Sequence, residues 1–65
     1  MISQAHLDTL AEMIHVRRDV LIPAWDALVN YSYVSREDKE HAAKMRYDHC
    51  DELEALLAAM AVLEP

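Results

Sequence analysis

Four histidines, one cysteine and twelve acids are the side chains through which this 65-residue chain could do chemistry. Glu12-x-x-His15 has the carboxylate–histidine spacing by which helical bundles hold paired iron ions, and a dimer would supply it twice. That chemistry needs both ligands inside the bundle. Leu10 and Ile14 claim the inner face of the same helix, which turns Glu12 and His15 outward into solvent. His41 and His49 lie eight residues apart, with Asp48, Cys50 and Glu52 nearby. Consecutive helical residues diverge by about 100°, so 48, 49 and 50 do not converge on one ion unaided. Zinc or iron shared between two protomers, for sensing or storage, is the alternative this cluster leaves open. No Ser/His/Asp or Cys/His set finds a pocket on two helices, so neither an enzyme nor a bound cofactor is expected.

The stretch from Asp48 to Glu54 carries Asp48, Asp51, Glu52 and Glu54 with no Lys or Arg among them. A solvated helix face accounts for it. The functional alternative is an acidic strip that mimics nucleic acid on a DNA-binding protein. The aromatic residues are more informative. Trp25, Tyr31 and Tyr33 fall within nine residues of one another and close to Arg36. Tyr, Trp and Arg dominate binding hot spots, which makes these four the candidate partner-binding residues. Trp25 is also large enough to serve the core.

The elements that position these groups follow from composition and periodicity. A hydrophobic fraction of 54% is too high for a disordered chain. The absence of glycine removes phosphate-cradling loops, and a single cysteine forbids an internal disulfide. Net charge is −6, which disfavours nucleic acid and anionic membranes as partners. The uncharged run near the end is far shorter than the ~20 residues of a membrane span. The opening residues lack the pattern of a signal peptide, and a lone thiol suits a reducing compartment, so the cytoplasm is expected.

Periodicity predicts two helices in one domain over 1–65. The first runs from about 3 to 30, capped by Ser3, with Leu7, Leu10, Ile14, Leu21 and Leu28 at helical steps and Arg17 interrupting the stripe. Pro23 should kink or break it. The second runs from about 35 to 63. Ser35 and the acids that follow it open that helix, and Ala42, Ala43, Tyr47, Cys50, Leu53, Leu56, Leu57 and Met60 form its apolar face. A connector at about 31–34 forces the two antiparallel. Facing residues then pair Trp25 with Ala42 and Ala43, Ile14 with Leu53, Leu10 with Leu57 and Leu7 with Met60. Arg17 comes level with His49, Cys50 and Asp51, and Asp51 is its expected partner.

Leu7, Leu10, Ile14, Leu21, Leu28, Leu53, Leu57 and Met60 are thus the expected core and dimer residues. Val20, Ile22, Val29, Leu56 and Val62 still need cover that one hairpin does not provide. The expected architecture is an all-α antiparallel hairpin that pairs with a second copy as a four-helix bundle. No motif ties the chain to a family. Its general shape resembles small all-helical accessory proteins of phage or bacterial origin, hairpin co-chaperones among them. The expected role is a non-enzymatic module that homodimerises and binds another protein to inhibit, sequester or chaperone it.

Overall fold

The computed structural model describes residues 3–63, which form two helical arms packed against each other as a hairpin. Met1, Ile2, Glu64 and Pro65 complete the expected 1–65 domain and lie outside the described residues. The first arm is α1 (Gln4–His15), a π-helical turn (Val16–Leu21) and α2 (Ile22–Asn30); the second is α3 (Arg36–Leu63).

Both helix starts are built as their caps require. Ser3 Oγ accepts the His6 backbone N–H at 3.3 Å, and Ser35 Oγ accepts that of Asp38 at 3.2 Å. Glu37 and Asp38 place their charge in the first turn of α3, at the positive end of its macrodipole. Between the arms, Tyr31 leaves the helix in an extended conformation (φ −84°, ψ 119°). The Val34 N–H then donates to the Tyr31 carbonyl at 3.2 Å. No described residue has positive φ, so the turn is made without glycine.

Pro23 neither breaks the first arm nor acts alone. Leu21 and Ile22 keep right-handed helical angles, and the Ile22 N–H donates to the Arg17 carbonyl five residues back. A proline ring inside an α-helix collides with the carbonyl four residues earlier, here that of Asp19, and offers it no N–H. The wider π turn lies over that carbonyl. It lets the chain pass into α2 with Pro23 in the first turn, where a missing N–H costs least.

The π turn has a consequence for packing. It consumes one residue more than an α-turn, so the inward face beyond it moves on by one position. Ile22, Trp25 and Val29 are the half-buried apolar residues of α2, and Leu28 is exposed. Leu28 therefore does not continue the line of Leu7, Leu10 and Ile14 as its spacing implied.

A different correction applies to α3. Its sheltered side steps through Ala42, Arg46, His49, Leu53, Leu56 and Met60 at alternating intervals of four and three. Tyr47, Cys50 and Leu57, all expected on the apolar face, are exposed. Arg46 is met on this side by Asp26 of the first arm, and His49 faces Glu52 of its own helix.

Ile14 (7% exposed) and Ala42 (0%) are the buried hydrophobic residues. Leu7, Leu10, Leu21, Leu53 and Met60 are half-buried, and so is Trp25, which is less enclosed than a core tryptophan. The hairpin measures 49 × 15 × 12 Å with a radius of gyration of 14.7 Å. A compact domain of this length would have a radius near 11 Å. The molecule is a rod with little interior.

Candidate functional site

Two sets of groups bridge the arms, and a cleft opens at the tip. Nearest the open end, Arg17 sets its Nε 2.9 Å and one Nη 2.8 Å from Glu52 Oε2. Its other Nη donates to the Met13 carbonyl at 3.1 Å. The guanidinium is thus fixed on both sides, beside a shallow groove walled by Met13, Ala55 and Leu56. Asp51, the expected partner, is exposed. It sits about 100° round the helix from Glu52, so only one of the two can face the first arm.

His49 is part of the same layer. Its side chain is 14% exposed, and Glu52 Oε1 is 3.5 Å from its Nδ1, beyond a well-aligned hydrogen bond. Glu52 therefore stands between a cation and an imidazole. Closer to the tip, Arg46 Nη1 donates to Asp26 Oδ1, a second bridge between the arms. Asp26 carries no signal in the sequence, because the one-residue shift that turns it toward α3 is not written in any periodicity.

At the tip, an open cleft of about 530 Å³ is lined by Trp25, Leu28, Tyr33, Val34, Ser35, Asp38 and His41. The Trp25 and His41 rings meet edge to face, centroids 5.7 Å apart at 85°. That contact holds an indole from α2 against the first turns of α3. Tyr31 supports Tyr33 from outside in a similar arrangement, 5.5 Å and 63°. Tyr33 itself is 87% exposed.

Of the four residues singled out at the tip, the structure brings Trp25 and Tyr33 into one cleft and adds Tyr31 behind Tyr33. Arg36 is not among the lining residues; it turns along its own helix to Glu40 at 3.2 Å. Asp38 and His41 join Trp25 and Tyr33 in the cleft, His41 having been expected instead as a candidate metal ligand. Helical spacing carries the signal for them, since residues 34 or 35, 38 and 41 recur on one side of the start of α3.

Of the acidic run, Asp48 lies 3.5 Å from Lys44 and Glu52 is paired with Arg17, while Asp51 and Glu54, three residues apart on one side of α3, are exposed. Glu12 and His15 are both exposed, and His15 Nδ1 lies 2.7 Å from Asp19 Oδ2. Asp19 sits in the π turn. The adjacent Arg18 guanidinium first, then His15, hold its carboxyl below the ordinary carboxylate range.

His41, His49 and Cys50 do not meet: His41 is engaged with Trp25, His49 faces Glu52, and Cys50 is exposed. Among the described residues no three His, Cys, Asp or Glu side chains gather where a metal ion would be held. No described helix is long and apolar enough to cross a membrane. Comparison with protein-family models, with curated proteins and with solved structures yields no match to this chain.

Proposed function

We propose that this chain is a non-enzymatic protein–protein interaction module. It pairs with a second copy as a four-helix bundle and uses the hairpin tip to hold a partner protein, which it inhibits, sequesters or chaperones. The single exposed thiol of Cys50 suits the reducing cytoplasm as its compartment.

The observation that carries the reading is the surface left uncovered. Met13, Val20, Leu28, Leu57 and Val62 are exposed large hydrophobics, Val62 at 83%. The hairpin exposes 4922 Å², against about 4,200 Å² for a compact monomer of 7.5 kDa. The difference is close to the ~800 Å² that each partner hides in a standard interface. A second copy is the occupant that fits, because an isologous face answers its own apolar residues with the same residues.

Light scattering at micromolar concentration tests this. The expected mass is twice 7.5 kDa, and dilution should lower helicity as the dimer parts. Leu57→Lys should shift the population toward monomer. A helical monomer with a cooperative, concentration-independent melt overturns the dimer.

A further inference from the structure

We propose that the tip cleft is a receptor for an arginine side chain of the partner protein. The inference rests on the interaction-module reading above and names the chemistry the tip would recognise.

Three features point to a cation. The cleft offers aromatic walls, Trp25 on one arm and Tyr33 on the connector, and a guanidinium gains by lying over such rings within about 6 Å. Asp38 supplies a carboxylate at the same place. It forms no ion pair among the described residues, a state it shares with Asp8, Glu12, Glu37, Asp51 and Glu54, and of these acids it is the one that lines the cleft. No Lys or Arg lines the cleft to compete for it, since Arg36 is drawn away to Glu40.

Position and long-range charge agree with this. The Asp38 backbone N–H is tied to Ser35 Oγ, so the residue is anchored in the first turn of α3. The His41 ring, roughly perpendicular to that of Trp25, also lines the cleft. A chain of net charge −6 draws a basic segment toward itself and repels an acidic one. Arginine fits better than lysine here. Its flat guanidinium can stack on a ring while presenting paired N–H donors to one carboxylate, whereas an ammonium meets both only as a point charge.

Trp25 is the sole tryptophan, which makes the cleft directly readable. Acetyl-arginine amide should shift the Trp25 indole N–H resonance and change its fluorescence in a saturable, millimolar titration. Acetyl-norleucine amide, uncharged and of similar length, should not. Asp38→Asn should weaken the arginine response by about fivefold or more with helicity preserved, because a neutral amide loses the charge-assisted pair. Tyr33→Phe, which keeps the ring, should leave it intact.

An equal response to norleucine would overturn the inference in favour of a plain apolar cleft. So would an undiminished response in Asp38→Asn, or no saturable change with arginine. If a partner's capture is lost with Tyr33→Ala yet survives both Asp38→Asn and competing arginine amide, the tip remains the docking surface and only the arginine assignment fails.

Discussion

The open half of the hairpin and the half that ends in the tip are held by different means. At the open end, α1 lies along the last turns of α3, and Leu7, Leu10, Ile14, Leu53, Leu56 and Met60 carry the contact, with Ile14 buried. Toward the tip, α2 meets the first turns of α3 through Trp25 on His41 and Asp26 on Arg46, with only Ala42 buried. Arg17 and Glu52 mark the border between the two. The open half is an apolar seam. The tip half, where α2 packs more closely on α3 than α1 does, adds directional groups to the half-buried Ile22, Trp25 and Val29, and it is the half that forms a cleft.

The largest effect should separate the halves on stability. Ile14→Ala removes a buried branched side chain and should cost about 3 kcal/mol, most of what a domain this small can hold. Val29→Ala, half-buried in α2, should cost about 1 kcal/mol. Thermal melts at one fixed protein concentration compare them. Equal losses would mean that the tip has a core of its own, and the distinction between the halves would collapse.

A smaller effect is expected at the border. Arg17→Ala gives up the Glu52 pair and the Met13 carbonyl bond, and should cost about 1 kcal/mol because Glu52 remains well solvated. Arg17→Leu should come close to neutral, since the leucine extends the apolar seam of the open half toward the tip. Should Arg17→Leu destabilise as much as Arg17→Ala, the border is a specific polar layer and not an interrupted seam.

The smallest effect concerns the π turn. A carboxylate with a depressed folded pKa adds stability above its unfolded value of 3.8, and that stability fades as pH falls through the lower folded value. Asp19 is such a group, on the surface of the π turn. Asp19→Ala should therefore lower the melting temperature slightly at neutral pH, with the difference closing below about pH 4, so that the acid limb of a plot of melting temperature against pH is flatter. A variant that melts lower at every pH would show that Asp19 holds the π turn itself.

The two helix caps, one in each half, and much of the open half were legible from residue types and spacing. Ser3 and Ser35 read correctly as caps, because a cap depends on a few consecutive residues. Leu7, Leu10 and Ile14 read correctly because three leucine or isoleucine residues at helical steps have only one sheltered side to share. The tip half resisted the same reading. Leu28 looked like a stripe residue until the π turn moved the face on to Val29. Tyr47 and Cys50 looked apolar enough for a seam that Arg46 and His49 in fact occupy.

By itself, then, the sequence determined that this chain would be helical, where its helices would begin, and that one hairpin would leave apolar residues uncovered. Those properties come from local hydrogen bonding and from counting, and neither needs the arms to be placed. Only the tertiary structure decided the phase of α2, the choice of Glu52 over Asp51 for Arg17, and the joining of Trp25, Tyr33 and Asp38 in one cleft. Each of these depends on the second arm. Pro23 sets a local conflict, but the side of α2 that turns inward is chosen by what α3 offers to meet it.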